Sequence, residues 1–248
     1  ELNMKNKFYA AAFTIALALP MTAQAADPIV TSKDLGGGSF SGSVSLINNY
    51  LFRGLEQSGG NPALQGDIGY TQPIGPVNLS VGAWGSNVDF NDGDEASVEL
   101  DYTFGLSGEV SKVSWGVGGI YYGYPGADSS LNYDFWEVYG TLGYDFKVFA
   151  ADIGINYSPE YFGSSGDAVY YSGNISVPVG KHLDLGVHLG YQTIDDNVAF
   201  GVDDYFHYEI SATTNIAGVD LKLAWDDTDA DDAEADTGKF LVSLSKSF

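Results

Sequence analysis

Cysteine is absent from the 248 residues of this chain, and basic residues are scarce. Without Cys there is no disulfide framework, no thiol nucleophile and no Cys-based zinc site. Ten Lys and Arg residues stand against 33 Asp and Glu residues, which gives a formal net charge of −23. A chain this acidic lacks the basic surface that phosphate binding requires, so a nucleic-acid partner is disfavoured. We also expect no cofactor and no resident metal ion.

Long hydrophobic runs are missing after the N-terminal segment. Residues 1–25 have the pattern of an export signal: a short basic stretch, an apolar run over residues 8–19 and a small-residue cleavage site at Ala23-Gln24-Ala25. The apolar run is shorter than the roughly 20 residues that a transmembrane helix needs. We therefore predict that a signal peptide is removed before Ala26, and that residues 26–39 form a periplasmic N-terminal segment.

Glycine is abundant, and polar and apolar residues alternate along most of the chain. The 32 Gly residues argue against a helical bundle, because Gly in a helix interior costs about 1 kcal/mol relative to Ala. The clearest alternation sets Val98, Leu100, Tyr102 and Phe104 against Ser97, Glu99, Asp101 and Thr103. A period of two is typical of a β-strand with two different faces. Such runs over residues 40–248 number about twelve, each of roughly ten residues, which suffices to cross a bilayer when tilted.

The connections and the aromatic residues favour a membrane barrel over a water-soluble β-sandwich. Short connections with turn chemistry alternate with longer acidic ones, as at the periplasmic and extracellular ends of outer-membrane barrels. In the predicted register, aromatic residues gather at both ends of the apolar face, with Tyr50 and Phe52 at the long-loop end. A sandwich requires no such girdles. We predict an all-β fold, a closed antiparallel transmembrane β-barrel of about 12 strands over residues 40–248, located in the bacterial outer membrane.

The sequence closes on an alternating strand that ends at Phe248. Such a strand with a terminal Phe resembles the signal by which outer-membrane barrels are recognised for assembly. The resemblance implies that Phe248 is an assembly signal and that the barrel-assembly machinery is a partner.

Several short motifs follow one another in the first half of the mature chain. They are Tyr50-Leu51-Phe52-Arg53-Gly54 with Gln57, Pro62-Ala63-Leu64-Gln65-Gly66, Trp84-Gly85-Ser86-Asn87-Val88-Asp89-Phe90, Glu99-Leu100-Asp101, and Tyr121-Tyr122-Gly123-Tyr124-Pro125-Gly126 with Glu137. In this order and spacing they resemble the TorF family of porins. The resemblance covers most of the mature chain. It implies an outer-membrane barrel of the porin type and names no substrate.

The predicted inward face carries many ionisable residues. The candidate pore-lining or constriction residues are Arg53, Asp67, Glu99, Asp101, Glu137, His207, Glu209, Asp220 and Lys222. Ionisable groups are costly in a dry core, so one interpretation is a hydrated lumen that conducts solutes. In the other interpretation these groups pair across the interior and plug it. Both interpretations place Arg53 on the first strand, within ion-pair reach of Glu99 or Glu137.

These patterns predict a porin-like channel for passive diffusion of small hydrophilic solutes. The excess of carboxylates predicts a preference for cations. A structural or surface-interaction barrel with a plugged lumen is the alternative. A lipid hydrolase is a minor alternative, and we predict no enzymatic activity, because a base must lie beside its nucleophile and His182, His188 and His207 all have lumen-facing parity.

The remaining partners follow from the location and from the acidic segment at residues 226–236. That segment lacks the Gly and the terminal Glu of an EF-hand loop, so we interpret it as solvated surface. Divalent cations would bridge it to lipopolysaccharide phosphates. The expected partners are therefore outer-membrane lipids, lipopolysaccharide and small hydrophilic solutes.

Overall fold

Twelve long antiparallel strands form a closed barrel within the residues that this computed structural model describes, which are 30–31, 37–90, 93, 96–231 and 238–248. The predicted signal peptide lies outside the described residues, as does most of the 26–39 segment. The strands are β1 Ser39–Ile47, β2 Ala63–Ile74, β3 Val77–Asn87, β4 Val98–Val110, β5 Val113–Gly123, β6 Phe135–Asp145, β7 Ala150–Ser158, β8 Ala168–Val179, β9 Leu183–Ile194, β10 Tyr205–Ile216, β11 Val219–Thr228 and β12 Lys239–Ser247. The prediction of a twelve-stranded antiparallel barrel is confirmed.

The barrel closes through its first strand. Leu46 on β1 lies opposite Leu64 on β2 and opposite Leu244 on β12. Phe248 extends the β12 ladder, because its N–H donates to the Gly42 carbonyl at 3.0 Å and its carbonyl accepts from the Gly42 N–H at 3.1 Å. Each of the twelve strands thus has two hydrogen-bonded neighbours among the described residues. Such closure satisfies the backbone groups that lipid could not.

The two faces of the wall follow the alternation in the sequence. On β4, Tyr102 and Phe104 are exposed on the outer surface, whereas Glu99 and Asp101 point inward and are buried. Apolar side chains likewise dominate the outer surface of the other strands. Water-soluble proteins rarely expose so much contiguous apolar surface, and an outward apolar band is what a lipid-embedded barrel requires.

The two ends of the barrel differ in their connections. At one end the strands are joined by two to four residues, and Gly75 and Gly180 have φ angles of 63° and 70° there, which suit tight turns. At the other end the longer connections carry helix α1 (Asn197–Phe200) and two 3₁₀ turns, Ser129–Leu131 and Phe162–Ser164. Every helix in the described ranges falls short of the length and apolarity needed to span a membrane. We refer to these ends as the turn end and the loop end.

The interior changes character between the two ends. In the turn half, inward side chains are mostly small and polar and are partly exposed, among them Thr103, Ser114, Ser172 and Ser211. We call this half of the lumen the vestibule. In the loop half, a buried apolar cluster fills the space; its larger members are Tyr50, Phe52, Ile120, Tyr122, Tyr124, Phe135, Tyr161, Ile194 and Tyr205. The vestibule therefore ends on packed side chains.

The first strand is shorter than the sequence predicted. β1 ends at Ile47, and the Asn48 N–H still donates to the Val242 carbonyl of β12 at 3.2 Å. The chain then leaves the wall and enters the lumen, where residues 49–54 and Ser58 are buried. Tyr50 and Phe52 are only 3% and 9% exposed there, so the prediction that they belong to the lipid-facing girdle was wrong. The alternation continues beyond Ile47 because the inserted segment is itself a short β-hairpin. A period of two cannot separate a wall strand from a strand folded inside the wall.

Candidate functional site

A short hairpin from the first loop lies inside the loop half of the barrel. Leu51–Phe52 pairs with Leu55–Glu56, and the Gln57 N–H donates to the Tyr50 carbonyl at 2.8 Å. We call residues 50–57 the lumenal hairpin. Its two turn residues, Arg53 and Gly54, have φ angles of 52° and 86°, as a tight two-residue hairpin turn requires. The left-handed conformation costs a non-Gly residue such as Arg53 roughly 1–2 kcal/mol, so tertiary contacts must hold it.

Arg53 makes those contacts with the opposite side of the barrel. Its Nη2 donates to Glu137 Oε2 on β6 at 2.7 Å, and its Nη1 donates to Gln192 Oε1 on β9 at 2.9 Å. The guanidinium also lies 4.3 Å from the ring centroid of Tyr170 on β8. The expected ion pair between Arg53 and Glu137 is therefore present. Arg53 holds it from a loop, however, and not from strand one as predicted.

The electrostatics of this contact keep Arg53 charged. Burial is the largest single influence and by itself would lower the pKa of the guanidinium. Attraction to Glu137 and smaller contributions from Tyr161, Tyr122 and the hydrogen bond to Glu137 together outweigh burial and raise the pKa above its ordinary value. Glu137 Oε2 also accepts from Asn156 Nδ2 at 2.9 Å and from the Tyr122 hydroxyl at 3.2 Å. Burial raises the pKa of the nearby Tyr161 phenol, so this hydroxyl stays neutral.

The base of the lumenal hairpin is held by polar contacts near the loop end. Glu56 Oε1 accepts from Asn49 Nδ2 at 2.8 Å and pairs with Lys239 Nζ of β12 at 2.9 Å. The Tyr50 N–H donates to Ser58 Oγ at 2.9 Å. The hairpin thus crosses the lumen, anchored beside β1 and β12 at its base and at β6 and β9 at its tip.

The other predicted site residues separate into three groups, two of which involve carboxylates away from β10. Glu99 and Asp101 are buried beside the hairpin, where Glu99 accepts from the Tyr124 hydroxyl at 3.0 Å. Neither oxygen of Asp101 accepts a hydrogen bond from the residues that the structure describes. Nearer the turn end, Asp67 bonds to the Ser43 hydroxyl, and Asp220 accepts from Asn215 Nδ2 at 2.7 Å. Asp67 and Asp220 remain partly exposed.

The third set of predicted residues lies on β10 and β11. Lys222 Nζ pairs with Glu209 Oε2 at 2.7 Å, and His207 Nε2 lies 2.9 Å from Asp226 Oδ2. All four side chains are buried. Asp226 belongs to the acidic segment that was predicted to be solvated surface, and that prediction is wrong for this residue. Asp226 lies near the end of β11 and points inward. Its spacing from Asp220 and Lys222, which share the same face of the strand, already indicated this direction.

The loop half of the lumen is closed in this structure. The residues predicted to line an open constriction, Arg53, Glu99, Asp101, Glu137 and His207, point inward but are packed together. Their burial contradicts the expectation of an open lumen along its whole length. The open lumen was expected because burying charged groups is costly. For Arg53, Glu99, Glu137 and His207, ion pairing and hydrogen bonds offset that cost. Tyr170, Gln192 and Asn156 were not predicted as site residues. Their importance comes from contacts with Arg53 or with its partner Glu137, and no local pattern in the sequence indicates those contacts.

Comparison with known proteins places the chain in a family. Residues 32–248 match the family model described as "Bacterial protein of unknown function (Gcw_chp)". The chain belongs to the Gcw_chp family. No curated protein matches it. The motifs resemble the TorF family, but the description of the matching family model does not include that name.

Solved structures share the barrel of this Gcw_chp protein. An outer membrane channel from Pseudomonas putida F1 is 13% identical, with a TM-score of 0.50 over 85% of this chain and 96% of that one. The NanC porin is 8% identical, with a TM-score of 0.52 over 83% and 97%. Outer membrane phospholipase A from Escherichia coli is also 8% identical, with a TM-score of 0.52 over 84% and 88%. At such identities the likeness establishes the fold, which serves both channels and an enzyme.

Proposed function

We propose that this Gcw_chp protein is an outer-membrane channel for small hydrophilic solutes, which the lumenal hairpin closes. The observation that carries the proposal is that a segment of the first loop lies inside the loop half of the lumen, where it packs against inward side chains of the wall and of other loops. Below the hairpin the vestibule is lined mostly by small polar residues, with several carboxylates, and is reached by solvent. The hairpin is the part of this packing that can be removed without altering any wall strand, and we propose that its removal joins the polar vestibule to the loop end.

The charges of the interior support a preference for cations. Carboxylates of the vestibule and the loop half include Asp67, Asp152, Asp184 and Asp220 besides those around the hairpin. Arg53 and Lys222 are the buried Arg and Lys residues among those that the structure describes. A lumen with this excess of negative charge raises the local cation concentration and repels anions. The resemblance to the TorF porins supports the same class of function.

We propose no enzymatic role. His188 and His207 both point into the barrel and bond to one another through Tyr170. A lipid hydrolase would need a base and a nucleophile together where acyl chains arrive, and these two imidazoles are turned away from that surface.

A hairpin deletion tests the proposal. Because the Tyr50 carbonyl and the Gln57 N–H are only 2.8 Å apart, residues 51–56 can be replaced by Asn-Gly, which closes a two-residue turn. In planar bilayers we expect small or rare conductance steps from the wild-type protein and larger, persistent steps from the deletion variant. Heat-modifiable migration on gels checks that the barrel is intact. An intact deletion variant that does not conduct would refute the channel and favour a structural barrel with a plugged lumen.

A further inference from the structure

A continuous chain of hydrogen-bonded side chains crosses the interior beside the lumenal hairpin. Its members, from β7 to β11, are Asp152, Asn174, His188, Tyr170, His207 and Asp226. The five successive donor–acceptor distances are 2.8, 2.7, 2.7, 2.8 and 2.9 Å. Asp152 is partly exposed in the vestibule, whereas Asp226 is buried. The chain therefore connects solvent in the vestibule with the packed loop half.

Hydrogen-bond directions in this chain are set from the Asp152 end. An ionised carboxylate only accepts, so the Asn174 amide N–H donates to Asp152 and the Asn174 oxygen faces His188. That oxygen accepts, and His188 must therefore carry a proton on Nδ1. At the far end Asp226, when ionised, also only accepts, so it requires a proton on Nε2 of His207.

These fixed ends determine how many protons the chain holds. Tyr170 has one O–H and lies between Nε2 of His188 and Nδ1 of His207. It donates to one imidazole and accepts from the other, so one of the two imidazoles must be protonated on both nitrogens. If that extra proton moves onto Asp226, the total number of protons held by these side chains does not change. When all these hydrogen bonds are made, the side chains therefore hold one more proton than they would with two neutral imidazoles and an ionised Asp226.

A second added proton breaks this arrangement. Both imidazoles then carry a positive charge with ring centroids 4.8 Å apart, and Tyr170 faces an N–H on each side, so its own O–H has no acceptor in the chain. The other charged groups nearby give little compensation. Arg53 and Lys222 are positive, and Glu209, the cross-strand neighbour of His188, is already paired with Lys222 at 2.7 Å. Like charges in a poorly solvated site disfavour the doubly protonated state.

The hairpin turn rests on two members of the chain. The Arg53 guanidinium lies over the Tyr170 ring at 4.3 Å. On the other side of the turn, a methyl group added at Gly54 would lie 3.1 Å from Cδ2 of His207. Any displacement of Tyr170 or His207 therefore moves the surface against which Arg53 and Gly54 pack.

We propose that this hydrogen-bonded chain is a proton-binding site that holds the lumenal hairpin closed with one proton bound and releases it when acidification adds a second. Release would open the channel, and that consequence rests on the proposed function. The movement of the hairpin itself does not. His188 is the entry point, because its side chain is itself partly exposed whereas His207 is buried.

The absence of Cys from the sequence allows a direct test of hairpin release. Leu51→Cys places a thiol on the hairpin at a position that is 8% exposed, and Val198→Cys places one at a position that is 94% exposed. The rate of maleimide labelling at Leu51→Cys, divided by the rate at Val198→Cys, corrects for the chemistry of the reagent. We expect this ratio to rise roughly tenfold between pH about 7 and about 4, mostly below pH about 5, because nearby positive charges shift the second protonation below the usual range of an imidazole.

Histidine variants in the Leu51→Cys background identify the site. His188→Gln and His207→Gln should each abolish the pH response, whether the hairpin stays closed or open. His182→Gln should retain it, because His182 is exposed at the turn end. A flat ratio in the parent would overturn the proposal, as would a pH response that survives in either His188→Gln or His207→Gln. Labelling does not depend on conduction, so a channel that fails in bilayers leaves this test intact.

Discussion

Neutralising Glu137 should loosen the lumenal hairpin without weakening the barrel. In the Glu137→Gln variant, Arg53 keeps a neutral oxygen acceptor but loses the buried countercharge at 2.7 Å. Removing one partner of a buried ion pair costs about 3–5 kcal/mol. The retained amide oxygen places this substitution near the lower limit, about 3 kcal/mol. Since each 1.4 kcal/mol is a factor of ten, the undocked fraction of the hairpin should increase roughly 100-fold.

A double-mutant cycle separates the ion pair from general damage. Arg53→Met keeps the apolar stem and removes the charge, and should raise the undocked fraction by a similar factor. If the two residues act on the hairpin through their mutual contact, the double variant should resemble either single variant. The readouts are open probability in bilayers and the normalised labelling of Leu51→Cys at neutral pH. Glu109→Gln, at an exposed carboxylate near the turn end, is the matched control.

Two outcomes would refute this reasoning. If the effects of Arg53→Met and Glu137→Gln multiply in the double variant, the two residues act independently and the ion pair does not hold the hairpin. If Glu109→Gln changes the readouts as much as Glu137→Gln does, the effect is one of total charge. In either case heat-modifiable migration should be unchanged, because the hydrogen-bonded ladders of the wall do not include these side chains.

Two further predictions concern selectivity and assembly. The hairpin-deleted pore should prefer cations at low salt, and reversal potentials should show that preference fading as the Debye length falls from about 10 Å at 0.1 M to about 3 Å at 1 M; an anion preference at low salt would contradict it. Deleting Phe248 removes its two backbone hydrogen bonds to Gly42 at the β1–β12 closure, so membrane fractionation should show less protein in the outer membrane, whereas Phe248→Tyr should assemble normally. Equal assembly of the deletion variant would argue against a role for the terminal residue.

The sequence by itself determined the wall of the barrel. Alternation is a local property, because successive side chains of a strand point to opposite faces. Lipid on one side and a polar interior on the other make that alternation strong, as on β4, where Tyr102 faces out and Asp101 faces in. The twelve strands and the inward direction of Glu137 and His207 could be predicted for this reason.

Only the tertiary structure decided which side chains fill the lumen that the wall encloses. Tyr50 and Phe52 continue the alternation of β1 but lie inside the barrel, because the chain turns inward after Ile47. Arg53 meets Glu137 and Gln192 across 84 and 139 residues of sequence, and the Tyr170 chain joins five strands. Parity tells which way a side chain points from its own strand. Which side chains meet across the lumen depends on barrel closure and on where the hairpin inserts, and no local pattern contains that information.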